Sequence, residues 1–424
     1  MMLGLIQART SARPRRLPWA GLVIGLLIAA LVLIAPPVQA ATITVNTTAD
    51  ENNNDGDCSL REAIIAANED RAVSGCPAGS GADTIRLPAG NYVLTLAGTS
   101  EDAALTGDLD ISEDVTINGA GRANTTIDAN GLDRVFSIVG ALAQLSDLTV
   151  TGGESGVQAG SGIYLAASGS LILTNGRVTG NSPQWGIYSV PTAGTLTITN
   201  SRIDNNTGGG LLTQTPTTIA NSVIYNNISD SNGGGIYHNL STLTLINSTI
   251  SGNSAEVYGG GLINSGEMRL YNVTIANNTA DSDGSGDGDG GGVYLNSGSL
   301  TAQNSIIADN IDNSGTGTLR PDCSGILTSA GYNLIEITTG CTITGDTTGN
   351  RLNQLPFLGP LQNNGGSTQT HALLVGSPAV NAGNPAGCLD QNSALLTTDQ
   401  RGFVRNGTCD MGAYEYNSAG TPTP

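Results

Sequence analysis

Lysine is absent from the sequence, so all 16 basic residues are arginines, and they stand against 35 acidic ones. A protein that neutralises nucleic-acid phosphates needs the opposite balance, so nucleic acid is excluded as a partner, and anionic lipid is disfavoured for the same reason. Histidine is nearly as scarce. With only His238 and His371 and no Cys-x-x-Cys element, a histidine-rich zinc centre is ruled out. Aromatic residues make up 4% of the chain, with three phenylalanines and two tryptophans, so the core must be aliphatic and the placement of the 11 tyrosines becomes informative.

Long apolar runs are missing apart from Trp19 to Ile34, which is 16 residues long. Arg9, Arg13, Arg15 and Arg16 precede it, and Pro36, Pro37 and Val38-Gln39-Ala40 follow, so residues 1–40 read as a signal peptide cut after Ala40. The alternative, an uncleaved anchor, is disfavoured because the run falls short of the roughly 20 residues that comfortably span a bilayer. The exported part then has 12 basic and 35 acidic residues, a formal charge of 12 − 35 = −23, for which cations are the natural counter-species. Its mature chain has no transmembrane segment, and its expected location is secreted or at the cell surface. Six cysteines fall as three local pairs, Cys58/Cys76, Cys323/Cys341 and Cys388/Cys409, and export makes disulfides the default. Six cysteines allow 15 connectivities, of which the local one is expected.

What the sequence has in abundance is asparagine, glycine and a repeat. The clearest unit is Leu243-Thr-Leu-Ile-Asn-Ser-Thr-Ile-Ser-Gly-Asn253, followed by a variable arc and Gly259-Gly-Gly-Leu262. One asparagine row runs Asn175, Asn200, Asn221, Asn247, Asn272, Asn304, and a second, six residues on, runs Asn181, Asn206, Asn227, Asn253, Asn278, Asn310. A Gly-apolar pair recurs from Gly162-Ile163 to Gly292-Val293 at intervals of 24, 24, 25, 26 and 31 residues. The short alternating segments exclude helical repeats, the period is too short for propeller blades, and the leucine-rich framework is missing. Three short strands and three bends per 24 residues predict an all-β, right-handed parallel β-helix, with Leu, Ile and Val inside and asparagines stacked at the bends.

A stack of coils has open ends. Ser59-Leu-Arg-Glu62 is a capping-box pattern predicting a short helix through about Ala72, with Leu60, Ala63, Ile64 and Ala67 as its buried stripe. Arg61 is expected to make a lid-to-coil salt bridge and Glu62 a cap. The expected organisation is a cap over 41–82, β-helix repeats over 83–319, terminal coils and a carboxy-terminal cap over 320–416, and a flexible tail over 417–424.

The segment Ile43-Thr-Val-Asn-Thr-Thr-Ala-Asp50 with Cys58-Ser-Leu-Arg-Glu-Ala63 closely resembles the CSLREA family segment, whose motif it matches letter for letter. Asp399-Gln-Arg-Gly-Phe403, Arg405 and Asp410-Met-Gly-Ala-Tyr-Glu415 resemble the choice-of-anchor Q carboxy-terminal domain. The central repeats look like those of exported right-handed β-helix proteins and of polymorphic-outer-membrane-type proteins. These resemblances imply an extracellular or cell-surface protein without implying an activity. Arg401, Arg405, Asp410 and Glu415 are expected to form an ionic network closing the last coils.

Three features bear on chemistry. Tyr164, Tyr188, Tyr237 and Tyr294 each follow the Gly-apolar pair, so strand parity sends them outward as one row, suited to stacking on sugar faces or a protein chain; a ladder that only stabilises itself is the alternative. The insertion Asp281-Ser-Asp-Gly-Ser-Gly-Asp-Gly-Asp-Gly290 presents Asp281, Asp283, Asp287 and Asp289, oxygen ligands of the kind calcium prefers, although a hydrated loop explains them as well. Asp50, Asp55 and Asp57 form a second calcium candidate. Asp204, Asp230 and Glu256 share no register, His238 is expected to be a satisfied arc-end residue, and Arg177 with Arg202 is expected to be a solvent-facing ladder. No catalytic residue is therefore assigned. The sequence by itself favours a structural or adhesive module binding a polysaccharide or a cell-surface protein; the alternatives are a polysaccharide lyase or glycoside hydrolase, or a passive spacer. An arginine, a potential base and acidic groups gathered in an open groove would favour the enzyme.

Overall fold

The computed structural model describes residues 40–99, 101–156, 160–286, 288–315 and 317–417. The expected signal peptide, apart from Ala40, and the tail beyond Asn417 lie outside the described residues. The chain winds as a right-handed parallel β-helix. One face stacks Leu109–Ile111, Phe136–Ile138, Ile163–Leu165, Ile187–Ser189 and Leu211–Thr213, and continues through Ile236, Leu262, Val293 and Cys323. A second runs from Thr42–Thr44 through Asp83–Arg86 and Val115–Asn118 to Cys341–Asp346. Among the described residues the third has 11 strands, from Gly90–Val93 to Arg351–Leu352. The inward-facing Leu, Ile and Val of the coils are fully buried, as Ile163, Ile187, Leu211 and Ile236 illustrate.

The two asparagine rows do different work. Asn175, Asn200, Asn221, Asn247, Asn272 and Asn304 all take positive φ, between 43° and 57°, and make a left-handed bend that asparagine tolerates better than most residues. The second row is a buried amide ladder. Each Nδ2 donates to the next Oδ1, from Asn181 to Asn206, Asn227, Asn253 and Asn278 at 2.9 Å, then to Asn310 at 3.0 Å. Asn310 donates to Asp322 Oδ1 at 3.0 Å, so a carboxylate ends the run. The glycine of the Gly-apolar pair is needed for close approach: a Cβ on Gly235 would lie 2.5 Å from Gly261 O and 3.0 Å from Asn253 Nδ2.

At the amino-terminal end the capping box forms as expected, and the helix runs Leu60–Asn68, shorter than predicted because Glu69 already leaves helical geometry. Nearly the whole helix is buried rather than one stripe, with Arg61, Glu62, Ile65 and Ala66 covered as well. Asn68 completes the edge of the first coil, its Nδ2 donating to Asp110 O at 2.8 Å and its Oδ1 accepting from Ser112 N at 3.0 Å. Arg61 corrects the expected lid-to-coil salt bridge. Its carboxylate partner, Asp50 at 2.6 Å, belongs to the cap, and its reach to the coils is through the carbonyls of Ala104 (2.9 Å), Gly107 (2.9 Å) and Asp108 (3.3 Å).

Residues 355–417 lie along the flank rather than over the last coil. Asn247 Nδ2 donates to Thr398 O, Asn272 Nδ2 to Leu389 O and Thr249 Oγ1 to Gln400, while Met411 and Leu373 pack on Ile306 and Leu334. Arg401 pairs with Asp399 at 2.6 Å and Arg405 with Glu415 at 3.2 Å within this module, and Arg405 Nη2 donates to Asn247 Oδ1 at 2.9 Å, so the network braces the module against the bend rather than closing the last coils. The outer strand Cys341–Asp346 stays largely exposed, held to its neighbour by the Cys323–Cys341 disulfide. Cys58–Cys76 and Cys388–Cys409 pair as well.

The Asn253 side chain takes part in four ladder bonds: it accepts from Asn227 N and Nδ2 and donates to Ile224 O and Asn278 Oδ1. Asn253→Ala takes the acceptor from the Asn227 N–H and Nδ2–H donors of the preceding coil and a donor from Ile224 O and Asn278 Oδ1, and should destabilise the fold by about 3 kcal/mol or more. A urea midpoint indistinguishable from wild type would refute a supporting role for the ladder.

Candidate functional site

The first face is left open by the flanking module. Its outward row, read through the strand registers, is Asp110, Ser137, Tyr164, Tyr188, Leu212, Tyr237, Ile263 and Tyr294. Seven steps of about 4.8 Å make it roughly 34 Å long. Tyr164 and Tyr188 are stacked with ring centroids 5.8 Å apart. Two aromatic residues that sequence reasoning passed over join from the loops: Trp185 lies 6.2 Å from Tyr237, and Tyr258 stacks on Tyr294 at 4.4 Å. Gly209 makes room for Trp185, since a Cβ there would come within 2.2 Å of the indole.

Three cavities follow this row. One of about 330 Å³ is lined by Asp102, Asp110, Arg134, Ser137 and Tyr164. The next, about 450 Å³, is lined by Trp185, Leu212, Asp230, Asn232 and Tyr237. The third, about 320 Å³, is lined by Tyr258, Asp289, Ser314 and Arg320.

The first holds the most distinctive chemistry. Leu109 is buried and inward-facing, so Asp108 and Asp110 on either side share the outward parity. Arg134 Nε sits 2.7 Å from Asp108 Oδ2, and its guanidinium lies 5.0 Å over the Tyr164 ring. Asp108, Asp110 and Arg134 are 4%, 2% and 7% exposed, which strengthens every charge interaction among them. Burial and the neighbouring Asp110 push the Asp108 carboxyl up to about 8 against the opposing pull of Arg134. Burial raises Asp110 to about 6, partly offset by the hydrogen bond from Ala104 N, while the charges of Glu101 and Asp102 raise it further. Arg61 grips the carbonyls of residues 104, 107 and 108, so the Ser-Leu-Arg-Glu segment of the cap holds the loop carrying these acids. The signal in the sequence was the triplet Leu109-Asp-Ile111, equivalent in register to Ile163-Tyr-Leu165.

The remaining candidates separate. Asp281 is buried and accepts from Ser285 Oγ and Gly286 N, Asp283 accepts from Ser285 N, and Asp289 pairs with Arg320 at 2.8 Å; Asp287 lies outside the described residues. Of the second calcium candidate, Asp50 turns instead to Arg61, and Glu51 takes its place. Among the described residues the one group of three carboxylates whose ligand atoms lie within 4.8 Å of one another is Glu51, Asp55 and Asp57, a group that would suit a divalent ion. His238 is fully buried inside the coil, with Nε2 3.0 Å from Ser241 O, and burial lowers its pKa. Arg177 and Arg202 do stack, but Arg177 binds Asp204 at 2.8 Å and Arg202 donates to Ser367 O at 2.8 Å, beneath the flanking module rather than in a solvent-facing ladder.

The right-handed β-helix region family matches residues 161–354. No curated protein shows significant sequence similarity to the chain. Among solved structures, pectate lyase Pel9A superposes with a TM-score of 0.50 at 14% identity, over 90% of this chain and 98% of that one. The A-module of the Azotobacter vinelandii mannuronan C-5 epimerase AlgE4 gives 0.43 at 17% identity, over 72% and 95%. Pectin methylesterase PemA from Erwinia chrysanthemi gives 0.28 at 12% identity, over 73% and 82%. The protein is therefore a right-handed parallel β-helix with a pectate-lyase-like fold. No described helix is long and apolar enough to cross a membrane.

A carboxyl raised in the folded state favours folding below its unfolded value near 3.8, and that contribution is lost as pH rises through the folded value, here about 8 for Asp108. Asp108→Asn should therefore gain stability relative to wild type between pH 5 and pH 8, by at most about 1.4 kcal/mol per pH unit. Thermal midpoints of the two proteins across that range test this; parallel curves would refute it.

Proposed function

We propose that this protein is an extracellular carbohydrate-active protein that binds a polysaccharide along the tyrosine face and cleaves it by glycoside hydrolysis at the Asp102–Asp110 end. The observation carrying the reading is the two carboxyl groups, with Arg134, lining one cavity at the end of an aromatic row. Glycosidic cleavage calls for one carboxyl that stays protonated and one that is ionised. Asp110, raised to about 6 and 2% exposed, is the general acid; Asp102, exposed on the same cavity, is the base or nucleophile. Arg134 is a positioning residue, holding Asp108 and the Tyr164 ring. The aromatic residues bind sugar faces by burying apolar area beside a polar tip.

A non-catalytic adhesive role is the second reading, favoured by the row running well past the acid pair to Tyr294. Export and an extracellular location are supported by the three disulfides and by the resemblance of the terminal segments to CSLREA and choice-of-anchor Q proteins. Calcium, if taken up, belongs to Glu51, Asp55 and Asp57 as a stabiliser of the cap.

The test is a polysaccharide panel in which bound polymer and released reducing ends are both recorded. Asp110→Asn and Asp102→Asn should each lower product release by on the order of 10²-fold or more while binding persists, and activity should fall as pH rises through about 6. Tyr188→Ala and Trp185→Ala should each weaken binding roughly tenfold. Binding without products in the wild type would remove the hydrolase and leave the adhesin.

A further inference from the structure

The polymer's charge class can be read from the same face. The inference rests on that face being the glycan site. Its three cavities are lined by three carboxylates, Asp102, Asp230 and Asp289, by the Asp110 carboxyl that serves as the acid, and by two arginines, Arg134 and Arg320. Each arginine already has an acidic partner: Arg134 is held by Asp108 at 2.7 Å and is 7% exposed, and Arg320, whose side chain is 41% exposed, pairs with Asp289 at 2.8 Å. Asp102 and Asp230 are exposed, and among the described residues no cation pairs with either. The whole chain is acidic besides, at −19.

A polyuronate laid on this row would bring one negative charge per sugar against fixed negative charge, at separations inside the Debye length of about 8 Å at physiological salt. Calcium bridging would require carboxylates clustered on the face. Among the described residues the one such cluster, Glu51, Asp55 and Asp57, lines none of the three cavities. What the face does offer is suited to hydroxyl-rich, uncharged rings: the aromatic planes of Tyr164, Tyr188, Trp185, Tyr237 and Tyr294, with carboxylate and amide acceptors such as Asp230 and Asn232 beside them.

We infer that this groove takes an uncharged polysaccharide and rejects polyuronates. Selectivity of this kind needs no added contact, because like charge opposed to the wrong ligand is enough.

The experiment presents the protein with neutral polysaccharides (glucan, mannan, xylan, galactan) and with uronates (polygalacturonate, alginate). Each C6-hydroxymethyl polymer is used both native and after oxidation of that group to a carboxylate, at low and high salt, with calcium and with chelator. At least one native polymer should bind ten times more tightly than its oxidised form at low salt, and the preference should shrink at high salt. Asp230→Arg, at an exposed position, should narrow the preference several-fold without loss of fold. Oxidised polymer or uronate bound as well as the native form, with or without calcium, and still dependent on Tyr188 and Trp185, overturns the charge inference and keeps the glycan site. Binding that ignores Tyr188→Ala and Trp185→Ala, or no binding by any polymer, overturns the glycan site and the inference with it.

Discussion

Coils of three short strands hold together only if every bend polar group in the interior is satisfied by its neighbour along the axis. In this protein that constraint is met by the asparagine ladder from Asn181 to Asn310, closed by Asp322. Each side chain also accepts a backbone N–H from the coil before it, as Asn253 Oδ1 does from Asn227 N at 3.1 Å. Because an orphaned amide in a buried bend costs more than the bond is worth in water, this row helps lock the register of the coils it threads. The outward residues from Tyr164 to Tyr294 are aligned by these coils. Tyr164 stacks on Tyr188 where the paired strands and the Asn181–Asn206 bond hold their coils one step apart.

The three faces are then used unequally. The carboxy-terminal module covers the bend carrying Asn247, Asn272 and Asn304, together with part of the third face, using backbone carbonyls and buried ion pairs. The amino-terminal helix closes the first end and holds the 104–108 loop through Arg61. Both additions leave the tyrosine face open, and the second places Asp108 and Asp110 in a poorly solvated corner where their carboxyls titrate high. Cap and site are one construction, since the groups that shield the coil end also create the desolvation that perturbs the acids.

Much of this was legible in the chain. Period, inward aliphatics, outward tyrosines, capping box and cysteine pairs are local patterns, and strand parity turns each into a direction. The Asp108–Arg134 pair was not legible because its partners come from different coils, with no repeated spacing to flag them. Trp185 and Tyr258 escaped because they sit in variable arcs, where the residue count gives no register. The acidic insertion drew attention by its composition, yet its described carboxylates turn to separate partners, whereas Glu51, Asp55 and Asp57 converge.

By itself, then, the sequence determined the architecture and which side chains face outward, because a β-helix repeats one local rule along its axis and parity and period are one-dimensional properties. Only the tertiary structure decided where the carboxy-terminal module lies, which face stays open and which acids meet an arginine, because those depend on contacts between residues far apart in the chain, whose distance no repeat encodes.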